Sequence, residues 1–556
     1  MGKIPKKATL REKTENTKFS WELSSFKLIT LTALFLVVFD NFAFFRNVTA
    51  VYPVSTDNIG FLLSISAVLT SVIVLLFSIF CFKYTAKPIL ITIILVSSLI
   101  SYFMNHYNIV IDETMIQNII ETDSGEVFDL LNLKLFIYLV FAGILPSVII
   151  YSLKIRYKSF KKELLSRVIT VVAAILIILA SAFPVSDFYT SFLREHKPLR
   201  YYTNPTYQLF SAGKYIGENY FKSEVVLKPI GTDAKNPETE PDRELIILVV
   251  GEAVRADRLP FNGYERNTTP LLEKEDVVNF PEMYSCGTTT SISIPCMFSI
   301  FTRDKYSDRK AASTYNVLDV LSNAGVNILW RENNSSSKGV ADRVPYEDYK
   351  NPENNPICDP ECRDEGMLAG LKEYIDSQKS GDILIVLHQM GNHGPAYYKR
   401  YPESFEKFKP VCRTSELGEC TREEISNAYD NAILYTDYFL SKVIALLKQY
   451  PHFESAMFYI GDHGESLGEK GVYLHGLPYF MAPENQKHIP AIMWFGEGFK
   501  IDRDKLRKVA SMPYSQDNLF HTLLGFMEIE TSVYDKDLDI LHFSEEAPAS
   551  TNEGKD

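Results

Sequence analysis

Five stretches of mostly apolar residues, at about 26–45, 61–82, 88–104, 133–153 and 168–184, crowd the first third of this 556-residue chain. Each approaches the ~20 residues that a helix needs to cross a bilayer. VLTSVIVLLFSIF (68–80) and VITVVAAILIILASAF (168–183) are apolar all round, with no polar face to turn to water. The first stretch is too long for a cleaved signal peptide, and no small-residue cleavage site follows it. The pattern predicts an N-terminal five-helix transmembrane domain over residues 1–184.

Orientation follows from lysine and arginine in the short loops, which stay in the cytoplasm. Lys3, Lys6, Lys7, Arg11, Lys13 and Lys18 precede the first stretch. Lys83 and Lys87 fall between the second and third, and Lys154, Arg156, Lys158, Lys161, Lys162 and Arg167 between the fourth and fifth. The two alternate loops, about 46–60 and 105–132, hold only Arg46. The N-terminus is therefore expected in the cytoplasm and everything after residue 184 on the other face.

The cysteines point the same way. Of seven, Cys81 lies inside the second apolar stretch and reads as an inert buried thiol. The other six lie in the distal part as three sequence-local pairs: Cys286 and Cys296, Cys358 and Cys362, Cys412 and Cys420. An even count in an exported domain reads as a disulfide framework, and local pairing is the simplest connectivity. The spacing does not match a structural zinc cluster.

Residues 185–243 form a linker whose aromatics, among them Phe188, Tyr189, Tyr201, Tyr207 and Phe210, suit a membrane interface or a packed surface helix. A polar, proline-containing hinge (231–244) leads into the domain at 244–543, and residues 544–556 read as a solvated tail. The net charge of −12 argues against nucleic acid as a partner.

In the distal domain, short apolar runs at 244–252, 327–330, 382–388, 455–465 and 491–498 alternate with helical patterns at 315–324, 365–377 and 423–449. Alternation of this kind predicts an α/β domain with a largely parallel sheet. Ligands of such sheets bind beyond the carboxyl ends of the strands. Polar residues gather there: Glu252, His388, and Asp462, His463, Gly464 and Glu465. Carboxylates with an imidazole suit zinc or manganese. SCGTTTSISIPC (285–296) packs hydroxyls between two cysteines, and a hydroxyl nucleophile is activated by coordination to a metal. Spacing does not choose among Thr288, Thr289, Thr290, Ser291 and Ser293.

Six segments in order carry a resemblance: GEAVRADR (251–258), SCGTTTSISIPCMFS (285–299), WRENNSSSKGV (330–340), HQMGNHGPAYYKRYP (388–402), GDHGESLGE (461–469) and YLHG (473–476). Together they resemble the lipid A phosphoethanolamine transferases, which include the transferable polymyxin-resistance enzymes, within the alkaline phosphatase and sulfatase superfamily. The likeness extends over almost the whole chain. Two departures, the close spacing of Cys358 and Cys362 and a threonine at 289 where many members have serine, touch no matched ligand. The resemblance implies a nucleophile at Thr290 and zinc held by Glu252, Asp462, His463 and Thr290. It implies substrate-phosphate contacts from Asn334, Lys338, His393 and His475. It also implies a donor, phosphatidylethanolamine, an acceptor, lipid A of lipopolysaccharide or lipooligosaccharide, and an inner-membrane enzyme with a periplasmic catalytic domain. Rival expectations are a transferase acting on a core sugar, glucan or protein, a sulfatase- or phosphatase-like hydrolase, and a non-enzymatic membrane scaffold.

Overall fold

The computed structural model describes residues 22–542 except 123, 221–225, 238–241 and 360. The basic residues at 3–18 and the tail at 544–556 lie outside the described residues. The chain divides into two compact units. One holds the chain up to Ser101, Ile137–Leu199 and Thr203–Thr206; the other holds Tyr102–Phe136, Arg200–Tyr202 and the chain from Tyr207 on.

Four helices among the described residues, lying wholly or mostly in the first unit, are long and apolar enough to cross a membrane: Ile59–Phe80, Ala86–Tyr107, Leu133–Ser152 and the run Phe160–Arg194. The first expected span, 26–45, is instead two helices, α1 (Ser25–Phe39) and α2 (Phe42–Val51), bent by 57°. A fifth crossing exists only if this pair is counted as one. The sequence reason is the Asp40–Asn41 step within the apolar run, and the break is stitched by side chains. Asn41 Nδ2 donates to Leu36 O (2.9 Å) and Asn204 O (2.6 Å), and Asn204 Nδ2 donates to Ser97 O (2.8 Å). Broken backbone at membrane depth persists where protein groups satisfy it.

α3 (Ile59–Phe80) packs on α1 and on the Phe160–Ala182 helix. Arg167 of that helix donates to Ser78 O (2.6 Å) and to Cys81 O, capping the carbonyl end of α3. α4 (Ala86–Tyr107) runs longer than the expected 88–104. Gly143, in a π turn (Leu139–Ile144) of the next span, lets Ser98 Oγ of α4 approach to where a Cβ would be 2.5 Å away.

The second unit contains α5 (Glu113–Glu121), α6 (Ser124–Leu130) and an α/β domain. The main sheet of that domain has seven strands among the described residues, β1 (Arg243–Gly251), β2 (Val277–Asn279), β3 (Asn327–Glu332), β4 (Tyr346–Asp348), β5 (Ile383–His388), β6 (Phe453–Gly461) and β7 (Ala491–Phe495), in the order β2-β7-β6-β1-β5-β3-β4. The five from β6 to β4 pair parallel, as expected, while β7 pairs antiparallel with both β6 and β2. β2 and β4, three residues each, lie at the two edges and have no strong apolar run in sequence.

The central strands are buried on both faces, so they read as continuous aliphatic runs. Ile246, Leu248 and Val250 pack with Phe458, Met493 and Leu524 on one side; Leu245, Ile247 and Val249 pack with Met457, Phe439 and Leu440 on the other. The last two belong to the long helix Arg422–Leu447, which starts with a capping box, Thr421 with Glu424. All three expected cysteine pairs, Cys286–Cys296, Cys358–Cys362 and Cys412–Cys420, are disulfides, and Cys81 is free and buried.

Candidate functional site

Parallel pairing puts Gly251 of β1 opposite Gly461 of β6, so the residues that follow, Glu252 and Asp462, leave the sheet side by side. His463 comes next, and all three are fully buried. One atom from each lies within 4.8 Å of the others. His463 Nε2 is 3.4 Å from Glu252 Oε1 and 3.3 Å from Asp462 Oδ2. Gly391, at φ +50°, lies so close to Glu252 that a Cβ there would meet its backbone at 2.9 Å.

Thr290 opens a short helix, Thr290–Met297, whose start is bracketed by the Cys286–Cys296 disulfide. Thr290 Oγ1 donates to Glu252 Oε2 (3.0 Å) and lies 3.4 Å from His463 Nε2. Its neighbours are engaged elsewhere. Thr288 Oγ1 donates to Leu477 O (2.7 Å), Thr289 Oγ1 and Ser291 Oγ meet at 3.1 Å, and Ser293 Oγ accepts from Gly287 N (3.1 Å). Of the five hydroxyls that spacing left open, Thr290 is the one set against the carboxylates. Gln516, fully buried, ties the parts together: its amide donates to Gly461 O (2.7 Å) and Asp462 O (2.8 Å) and accepts from Cys286 N (2.7 Å).

Three other expected residues crowd the same place. Asn334 Nδ2 donates to Glu252 Oε2 (2.6 Å). The His475 ring lies 4.2 Å from that of His463 and 5.8 Å from that of His393. Glu465 Oε2 grips His475 Nδ1 at 3.0 Å. Arg400 Nε donates to the His393 carbonyl (2.6 Å) while its Nη2 donates to Asp129 of α6 (2.9 Å). Lys338, at φ +49°, stands further out. Its ammonium is 3.5 Å from Glu121 of α5, and it lines a cavity of about 930 Å³ together with Thr288, Ser291, Gly476 and α5 residues.

The electrostatics of the buried centre are those of a cation site. Burial pushes the Asp462 carboxyl up, and the Glu252 charge pushes it further. Burial alone would also raise Glu252, but His463, His393, His475 and His388 hold it below its usual range. Glu252 Oε1 and Asp462 Oδ2 are buried acceptors with no hydrogen-bond donor. Buried carboxylates in that condition call for a metal. With the Thr290 hydroxyl 3.0 Å from Glu252 and 3.4 Å from His463, the two carboxylates, the imidazole and the hydroxyl form a four-ligand oxygen and nitrogen set that fits zinc. The second such group among the described residues is Cys286, Cys296 and Asp517, and its two cysteines are joined in a disulfide.

Sequence reasoning missed Glu332, Gln516 and the α5–α6 residues Glu121 and Asp129. Glu332, fully buried, accepts from Asn334 N (2.7 Å) and Trp330 Nε1 (2.9 Å) and meets His388 Nδ1 at 2.9 Å, which fixes Asn334 against Glu252. A buried charge in the strand NILWRE was its one available signal. The interspan loop 105–132 carried none for Glu121 or Asp129.

Comparison with known proteins adds independent findings. A family model described as sulfatase matches residues 244–529, and one described as phosphoethanolamine transferase EptA/EptB matches residues 69–220. Over 489 residues the chain is 44% identical to phosphatidylethanolamine transferase Mcr-2 of Escherichia coli, covering 86% of this chain and 91% of that one. It is 39% identical to phosphoethanolamine transferase EptA of Escherichia coli K12, covering 92% and 96%. The structure is similar to the integral membrane lipooligosaccharide phosphoethanolamine transferase A of Neisseria meningitidis, with TM-score 0.90 and 36% identity over 94% of this chain and 99% of that one.

Proposed function

Because the chain belongs to the phosphoethanolamine transferase family, with its sulfatase-like domain, we propose that it moves phosphoethanolamine from phosphatidylethanolamine to a phosphate of lipid A, through a phosphoethanolamine-threonine intermediate on Thr290. The observation that carries the reading is the Thr290 hydroxyl set 3.0 Å from Glu252 and 3.4 Å from His463, beside buried carboxylate oxygens without donors.

Glu252, Asp462, His463 and the Thr290 oxygen are the residues to hold zinc, which when bound lowers the pKa of a hydroxyl and draws charge from phosphoryl oxygens. The protein does the rest. Thr290 Oγ attacks phosphorus and releases its proton, and the new Oγ–P bond forms as the bond from phosphorus to the glycerol oxygen breaks. Diacylglycerol leaves and takes up a proton. Glu465 holds His475 by Nδ1, so proton exchange with substrate falls to Nε2. Asn334, Lys338, His393 and His475 bind the phosphoryl oxygens. A lipid A phosphate oxygen then attacks the same phosphorus, and the Thr290 oxygen departs. The product's ammonium offsets a phosphate and weakens attraction for cationic peptides such as polymyxin.

The basic loops support a cytoplasmic N-terminus, and an odd number of crossings, with α1 and α2 taken as one, supports a periplasmic catalytic unit. Both substrates are lipids, which accounts for a catalytic domain tethered to spans. The test is intact mass after incubation with phosphatidylethanolamine alone. The protein gains one phosphoethanolamine on the peptide containing Thr290, and an adduct on Thr288, Thr289 or Ser291 overturns the assignment.

A further inference from the structure

The α/β domain hides its large apolar side chains almost completely. From Arg243 on, the exposed ones among the described residues are Tyr346, Met512 and Phe480, and Phe480 is 66% exposed. Phe480 is also the one that does not stand alone. Its ring lies 5.9 Å from that of Tyr201, Tyr201 lies 4.7 Å from Tyr207, and Tyr207 lies 6.1 Å from Phe210. Phe210 is itself 63% exposed, on the helix Thr206–Tyr220, whose Leu209 and Ile216 are exposed too. Four rings thus run from the catalytic domain to a helix that leaves apolar groups uncovered.

The loop that carries Phe480 follows directly from the site. His475 begins it, Thr288 Oγ1 donates to Leu477 O, and Leu477 N donates to Gln486 (3.3 Å). On its other flank Gly476 is packed by Met115 of α5, whose Cε would be 2.4 Å from a Cβ at that glycine. Beside Phe480, Tyr479 is covered by the Arg303 guanidinium, 3.3 Å from the ring centroid. Arg303 and Tyr479 line the 930 Å³ cavity.

Chain connectivity says what covers this surface. Glu113 opens α5 six residues after Tyr107, the end of α4, and Tyr201 follows seven residues after Arg194, the end of the last span. At ~3.5 Å per residue neither can stray more than about 25 Å from the end of a helical run long and apolar enough to span. Both flanks of the loop are therefore tied to the membrane surface. Aromatic rings with polar or cationic companions are the side chains that settle in the headgroup layer.

We propose that Phe480 is a membrane-interface anchor: it inserts among the lipid headgroups, and with the Tyr201–Tyr207–Phe210 ladder it holds the mouth of the cavity against the bilayer. The partner is the lipid surface itself, and a second copy of the chain is the competing occupant. The inference rests on the chain's membrane placement and not on zinc or Thr290, so failure of the transfer chemistry leaves its test intact.

The test is Phe480→Trp in the full chain in lipid nanodiscs, with Met512→Trp as an exposed control on the same domain, each read against the unsubstituted protein. Lipids brominated near the headgroup should remove about half of the added emission at 480 while aqueous iodide leaves it, and the control should behave in the opposite way. Iodide quenching both positions alike overturns the proposal. So does protection at 480 that is insensitive to brominated lipid and grows with protein concentration, which would mark a contact between copies. Phe480→Glu should lower transfer between bilayer lipids by about tenfold with zinc content unchanged; full transfer by this variant in bilayers also overturns it.

Discussion

Helix Phe160–Ala182 and strand β1 are built from the same aliphatic residues in opposite surroundings. Ile169 and Leu176 of the helix are 58% and 59% exposed, whereas β1 is buried from Glu244 to Gly251. Burial is favourable where the alternative is water; a helix whose solvent is hydrocarbon has no reason to hide leucine. The difference teaches where each unit spends its buried polar groups. In the spans they repair the backbone, as Asn41 and Asn204 do at the break between α1 and α2. In the α/β domain they gather at strand ends, where Glu252 Oε1 and Asp462 Oδ2, beside His463, have no hydrogen-bond donor.

The sharpest way to break that contrast is to remove one of the proposed strand-end ligands. Asp462→Ala or His463→Ala should lose both bound zinc and transfer, read by metal analysis and by mass spectrometry of lipid A. Thr290→Ala should separate the two: transfer falls at least about 10³-fold while zinc and fold remain, and Thr290→Ser keeps partial activity because the oxygen survives. Zinc lost together with activity in the alanine variant would show that the hydroxyl is needed to hold the ion.

A third cut lies between the units. The chain from about residue 220 onward keeps the seven-stranded sheet and all three disulfides, so it should fold and bind zinc. It lacks α5 and α6, hence Glu121 opposite Lys338 and Asp129 on Arg400, as well as the tether. Lipid A modification in cells should drop by about 10²-fold or more. Full modification by the fragment would show that neither the tether nor α5 matters.

The smallest expected effect is at the far end of the sheet. Burial pushes the Glu244 carboxyl up to about 9, helped by the neighbouring Asp382. A carboxyl raised in the folded state contributes fully below its unfolded pKa of about 4.3, and that contribution is lost as pH rises toward 9. Glu244→Gln should flatten this slope, at most about 1.4 kcal/mol per pH unit, in melting curves of the full chain across pH 5–9. An unchanged slope would place the titrating group elsewhere.

Much of this was legible in the residues because it depends on local order. Apolar runs of span length, five strand segments and local cysteine pairs are properties of neighbours in sequence. The bend in the first span was not, since it depends on Asn204 reaching back across 163 positions to Asn41. The edge strands β2 and β4 were missed because three residues carry no period.

The sequence by itself determined that aliphatic runs would cross a membrane and that an α/β sheet would raise carboxylates and a histidine at its strand ends. The resemblance named Thr290, but that its hydroxyl, and not those of Thr288, Thr289, Ser291 or Ser293, meets those carboxylates was decided by tertiary structure. So was the recruitment of α5 and α6, residues of an interspan loop, to the catalytic unit. The physical reason is the same in both cases: hydroxyl placement and charge pairing are set by partners distant in sequence, Glu252 and His463 for Thr290, Glu121 for Lys338 and Asp129 for Arg400.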